Sequence, residues 1–194
     1  MVIQTQDQHE GFRCAEAGFF EANHSIRPPE EYASYLSDRH SSIASKVTET
    51  VAKIIDVNVD GPQVVILPRY DVQGDRLTKR FGNRVIVPEH VIDAISLMRV
   101  ASVFLGGGGT MTAEAALLGV PVISYYPGDA TFVERFLINR GLVERILDPG
   151  RIAQRTGAIC KSVDFREFYQ RKSTKLLRSM EDPLQIIVQK IFKH

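Results

Sequence analysis

The chain has 194 residues, 44% of them hydrophobic and 24% charged, a balance that fits a globular protein and excludes disordered and fibrous classes. That length holds one ordinary domain with its own core and leaves no room for two full-sized ones. Lys and Arg total 24 against 23 Asp and Glu, a net charge of +1, so no general field draws nucleic acid or anionic membrane to the surface, while a local anion site stays open.

No apolar run approaches the roughly 18 residues of a membrane span, and the N-terminus carries Gln, Asp, His and Glu where a signal peptide is apolar. Cys14 and Cys160 lack C-x-x-C spacing, which argues against a zinc site or a disulfide framework and for a reducing cytoplasm. The histidines His9, His24, His40, His90 and His194 form no H-x-x-x-H pair, so no metal site is expected.

In chain order, residues 1–25, with HEGFRCAEAGFFEANH, show neither helical nor strand period cleanly and read as an unpatterned N-terminal segment; residues 26–194 read as a single α/β domain. A helical stretch covers residues 30–56, broken near Ser41 and Ser42. Short β-branched runs predict strands at 63–67 (QVVIL), 85–87, 101–105 and 122–125, with a weaker fifth at 143–147. Val91, Ile92, Ile95 and Met98 predict a helix between the second and third of these runs. Phe132, Val133, Phe136 and Leu137 predict another, stopped by Gly141. Residues 164–180 read as a charged surface helix. Asp182 as N-cap and Pro183 at the first position then open a last helix with the stripe Leu184, Ile187, Val188 and Ile191. Apolar runs alternating with helices define an open parallel Rossmann-like sheet covered on both faces.

Four consecutive glycines, Gly106, Gly107, Gly108 and Gly109, follow the third of these strands, and consecutive Gly is entropically expensive. In an open parallel sheet this is the carboxyl end, where ligands bind. Thr110 or Thr112 can cap the next helix, which Gly119 and Pro121 end. Bare backbone at a helix N-terminus suits an anion such as phosphate. The P-loop pattern fails because no Lys follows, and G-x-G-x-x-G fails because its last position is Met111. Glu114, one turn in, can accept two hydrogen bonds from a vicinal diol such as that of ribose, and loop and carboxylate together describe a nucleotide.

GGGGTMTAEAALLGVPVISYYPG resembles the nucleotide-sugar motif in the C-terminal half of GT-B glycosyltransferases and UDP-N-acetylglucosamine 2-epimerases. The chain is also similar to a largely archaeal family of uncharacterised relatives of those enzymes, through SIRPPEEYASY (25–35) and ILPRY (66–70); the resemblance covers residues 25–148. It implies a UDP-sugar as ligand, with no separate cofactor. Gly107, Gly108 and the neighbouring Gly106, Gly109 and Thr110 would hold the diphosphate, Glu114 the ribose, and the loop at Val87 and Pro88 the base. Arg69 is placed to reach a phosphate oxygen, and Asp129 to face the sugar. GT-B enzymes use two Rossmann-like halves and this chain has room for one. The resemblance therefore implies a second half in a partner chain or longer parent protein, or a homodimer, and leaves the catalytic residues unknown. The alternative is a non-catalytic nucleotide-binding or regulatory module.

Each site residue also has a plainer reading. The glycines would serve tight strand-to-helix packing, Glu114 the helix dipole, Arg69 the surface, and Asp129 the N-cap of the helix that follows. Tyr125 and Tyr126 read as strand-end packing, and His90 as a solvent-facing residue at a helix start.

Overall fold

The computed structural model describes residues 23–31, 40–57 and 63–192. Within them five parallel strands, β1 (Asn23–Arg27), β2 (Gln63–Ile66), β3 (Ala101–Gly106), β4 (Val122–Ser124) and β5 (Val143–Arg145), stand in the order β2-β1-β3-β4-β5. The helices are α1 (His40–Val57), α2 (Asp71–Phe81), α3 (Ala94–Val100), α4 (Thr110–Leu117), α5 (Phe132–Asn139), α6 (Pro149–Cys160), α7 (Val163–Arg178) and α8 (Pro183–Phe192). The parallel sheet and its flanking helices match the Rossmann-like α/β expectation.

Successive residues of a strand face opposite sides, and β3 divides the core accordingly. Val103 and Leu105 join Ile26, Ile66 and Ile123 under α1, α2 and α6, against Val51, Ile54, Leu77 and Ile152. Phe104 joins Val122 and Val143 on the other face, against Met98, Ala115, Leu137, Tyr169 and Leu176.

One interior strand, β1, has no counterpart among the strands expected from the sequence. NHSIR pairs with β2 on one side and β3 on the other, so a boundary between residues 25 and 26 cuts through it; residues 1–22, with His9 and Cys14, lie outside the described residues. Its polar residues His24 and Ser25 are fully buried, which erased the apolar signal. The run at 85–87 shrinks to one bridge, Val65 to Ile86, because Pro88 has no N–H to continue the ladder.

α1 begins at His40 and passes Ser41 and Ser42 unbroken; residues 32–39 lie outside the description. The stripe from Val91 is not helical at its start. Val91 is 98% exposed, and the helix opens only where the Asp93 side chain accepts Ile95 N–H. The last helix is capped as read, with Asp182 accepting Leu184 N–H at 2.9 Å, yet all its apolar residues are exposed, Leu184 by 70% and Ile191 by 62%.

Candidate nucleotide site at the carboxyl edge of the sheet

Parallel strands deliver their ends to one edge: Arg27 after Ile26 in β1, Pro68 and Arg69 after β2, the glycines after β3, and the loop from Tyr125 to Thr131 after β4. The four glycines there have four different local reasons. A Cβ on Gly106 would lie 2.2 Å from Thr112 Oγ1, and one on Gly107 would lie 2.1 Å from Pro29 N and 2.4 Å from Pro29 Cα. Gly108 has φ of 90° beside the Tyr126 ring, and Gly109 has φ of 93° in nearly open space. Packing thus demands the first two, packing and backbone conformation together Gly108, and backbone conformation alone Gly109.

Hydrogen bonding divides the run in the same place. Gly107 N–H donates to Arg27 O at 2.7 Å, so it is committed to the sheet and is not a phosphate donor; Gly106, buried within β3, lies on the same side of the division. From Gly108 onward the chain leaves the ladder. The N–H groups of Gly108, Gly109, Thr110 and Met111 meet no acceptor among the described residues, and the N-cap, Gly109, offers no side chain. Four main-chain donors without a partner among the described residues, those of Gly109 and Thr110 on exposed residues, with the helix dipole behind them, are a ready anion seat. Thr112 is no cap: its hydroxyl is buried, faces Gly106 and finds no partner.

Arg69 reaches two protein carbonyls. Its Nε donates to Pro28 O at 2.9 Å and its Nη2 to Gly108 O at 3.0 Å, while its own N–H donates to Gln73 Oε1 at 2.9 Å. The fork read as a phosphate contact ties the Pro28–Pro29 turn to the glycine loop. Beneath it, Gln73 Nε2 donates to Glu31 Oε1 at 2.9 Å, and Arg76 closes on the same carboxylate at 2.6 and 3.0 Å. Glu31 is 2% exposed.

Arg27, unmarked by the sequence reading, donates to Leu67 O at 3.1 Å and Pro68 O at 2.7 Å. Burial first, and then the nearby Arg69 charge, lower its pKa from the ordinary arginine value, against smaller opposing effects of Tyr70 and Glu30. An arginine directly after Ile26 and before Pro28 and Pro29 is the available signal, hidden because the polar residues of β1 mask the strand.

Two cavities flank the start of α4. One of about 300 Å³ is lined by Arg27, Pro68, Pro88, His90, Ile92 and Met111. The other, about 420 Å³, lies between α4 and α5, with Gly109, Thr110, Glu114, Leu117, Val133 and Glu134 in its wall. Pro88 therefore faces the first cavity, while Val87 packs against the core and next to Gly74. Glu114 is exposed and shares the second cavity with Gly109 and Thr110. In that wall Glu134 is already engaged, accepting a hydrogen bond from Ser124 Oγ.

Asp129 is exposed on the loop after β4 and is not the helix cap. That role belongs to Thr131, which accepts Glu134 N–H at 3.2 Å. Arg145 braces the same loop through Tyr126 O and Gly128 O. Tyr125 is a buried strand-end residue as read, and His90 is exposed on a loop rather than at a helix start. No cluster of three metal-ligating side chains occurs among the described residues.

This architecture is that of one Rossmann-like half of a GT-B glycosyltransferase or sugar epimerase. The chain belongs to the family described as protein of unknown function DUF354, whose model matches residues 18–194. It is 37% identical over 103 residues to the uncharacterized protein MJ0665 of Methanocaldococcus jannaschii, a match taking in 52% of this chain and 27% of that one. Among solved structures, the C-terminal CMP-Kdo binding domain of WaaA from Acinetobacter baumannii is similar with a TM-score of 0.59 at 16% identity, over 81% of this chain and 90% of that one. The UDP-GlcNAc 2-epimerase of M. jannaschii, in complex with UDP-GlcNAc and UDP, gives 0.60 at 14%, over 86% of this chain and 47% of that one. A putative UDP-N-acetylglucosamine 2-epimerase from Listeria monocytogenes gives 0.65 at 13%, over 97% and 50%. The chain thus spans about half the length of the two epimerases and about a quarter of its curated relative. No helix of the described residues is long and apolar enough to cross a membrane.

Proposed function

We propose that this chain is the nucleotide-sugar-binding half of a GT-B-type glycosyltransferase or sugar epimerase, with a UDP-sugar as ligand. The diphosphate sits on the N–H groups of Gly108, Gly109, Thr110 and Met111, the ribose diol on Glu114, and the base beside Pro88. The observation that carries this is the uncapped start of α4, whose donors meet no acceptor among the described residues. Glu114 stands exposed in the wall that Gly109 and Thr110 share. Asp129 is the residue from the loop after β4 proposed to face the sugar.

In such a reaction the nucleotide diphosphate is the leaving group, and fixed main-chain donors stabilise the charge it develops. Catalysis requires a second Rossmann-like half, in a partner chain, a longer parent protein or a second copy; the share of the epimerase chains that this one spans supports that reading. A reducing, cytoplasmic setting belongs to the same proposal and is supported by the free Cys160 thiol. The alternative, a binding or regulatory module without catalysis, draws on the same site.

A thermal-shift series with UDP, UDP-N-acetylglucosamine, GDP-sugars, NAD and ATP tests it. Ligand at about 100 times its Kd stabilises by roughly 2.7 kcal/mol, a rise of about 5–10 °C for a domain of this size. UDP compounds raise the midpoint and Glu114→Ala cancels most of the rise. Preference for ATP or NAD, or no shift with any, refutes the proposal.

A further inference from the structure

We infer that Arg69 is a positioning residue that locks the Gly108–Gly109 peptide with its N–H turned out to the ligand; the inference rests on the diphosphate seat proposed above. In a trans peptide the C=O of one residue and the N–H of the next point in opposite directions, and no cis peptide occurs among the described residues. Arg69 Nη2 holds Gly108 O at 3.0 Å on the protein side, so Gly109 N–H points the other way, from an exposed residue with no acceptor among the described residues.

A lock is needed there because both flanking residues are glycines at positive φ, where glycine crosses between conformations that other residues avoid. Left to itself, the peptide between them rotates at little cost. The flipped form would aim a carbonyl oxygen, in place of an N–H, at the anion. The same guanidinium prevents this while holding Pro28 O at 2.9 Å, so the turn after β1 and the loop after β3 are clamped together from β2. Gln73, fully buried, fixes the Arg69 backbone through Arg69 N–H. The planar, two-pronged shape of arginine is what the task requires, since the lysine ammonium is a single point on a flexible stem.

Arg69→Met and Arg69→Lys separate this role from direct charge pairing with phosphate. Calorimetric titration with UDP and with inorganic pyrophosphate is expected to show both variants weakened, by about tenfold each (one charge-assisted hydrogen bond's worth of orientation) and equally for the two probes. Retention of wild-type affinity by either variant overturns the inference. Lysine substituting fully for arginine would assign the effect to charge. If wild-type protein binds neither probe, the proposed function falls by itself, and the lock is judged on ligand-free protein. There, the Gly109 amide resonance in 15N-labelled samples is expected to be single in the wild type and broadened or doubled in Arg69→Met, with signals from the β5 and α6 residues unmoved. An unchanged Gly109 resonance in the variant overturns it.

Discussion

Replacing Gly107 by alanine asks whether the glycine run is held by packing or by ligand binding. The added methyl would lie 2.1 Å from Pro29 N, 2.4 Å from Pro29 Cα and 2.5 Å from Pro28 C. Ordinary contact needs more than 3.4 Å, so more than a full ångström of overlap must be relieved. All three atoms are backbone of a Pro-Pro pair, which has neither rotamers nor a flexible φ with which to yield. Relief therefore means separating β1 from β3 at the Arg27–Gly106 end of their ladder, with loss of the 2.7 Å hydrogen bond from Gly107 N–H to Arg27 O. Overpacking costs about 1–3 kcal/mol and the lost hydrogen bond about 1 more. The expected destabilisation is about 3 kcal/mol, or roughly 6–12 °C in Tm for a domain of this size. Urea unfolding followed by circular dichroism measures it directly. Gly109→Ala is the control, because its methyl meets only Arg69 Nη2 at 3.5 Å and the expected cost is the conformational strain of about 1–2 kcal/mol. A loss below about 1 kcal/mol for Gly107→Ala would refute the packing argument.

The buried carboxylate of Glu31 should make Arg76→Ala costly, by about 2–3 kcal/mol, since removal leaves a charge 2% exposed with Gln73 as its remaining described side-chain donor; a change under about 0.5 kcal/mol in the urea midpoint contradicts this. Burial raises the Glu144 carboxyl, but hydrogen bonds from Arg155 and Tyr169 and the Arg155 charge together outweigh it, leaving a net depression. A depressed carboxylate stabilises fully above its unfolded value near pH 4.3 and loses that contribution as pH falls through the folded value. Glu144→Gln should accordingly be less stable than wild type at pH 7, by about 1 kcal/mol given the partial exposure of the pair, and the gap should close below pH 4; a gap independent of pH contradicts this. Burial pushes the Cys160 thiol up to about 11, so at pH 8 it should react with a disulfide reagent at least about tenfold more slowly in native than in unfolded protein.

What the sequence disclosed follows from how each element is buried. β3 and β4 announce themselves because both faces are apolar: Val103, Phe104 and Leu105, then Val122 and Ile123, leave almost nothing polar in the run. β1 is also an interior strand, yet two of its five residues are the buried polar His24 and Ser25, the former with its Nδ1 3.6 Å from Cys160 Sγ, so tertiary contacts supply what the local pattern lacks. α2 is obscured in the sequence for a related reason. It buries Gln73 and Gly74 along with Leu77 and Phe81, and half of its inner face carries no hydrophobic mark.

At the site, the position of the glycine loop was legible because parallel topology fixes which strand ends meet. The division of labour within the loop was not. Whether an amide is spent on the sheet, like that of Gly107, or left free, like that of Gly109, depends on residues from β1 and β2 that are 39 to 80 positions away in the chain. The charge of Arg69 is visible in a sequence, and the carbonyls of Pro28 and Gly108 that it meets are not. Glu134, engaged with Ser124, and Thr131, the true cap of α5, escaped for the same cause.

The most direct test is a 1H–15N correlation titration of labelled protein with UDP. Amide signals of Gly108, Gly109, Thr110 and Met111 should move together and saturate, with Glu114 following, while Gly107, held by Arg27 O, stays nearly still. Saturable movement centred elsewhere on the molecule, or none at millimolar UDP, would contradict the assignment of the start of α4 as a nucleotide diphosphate seat.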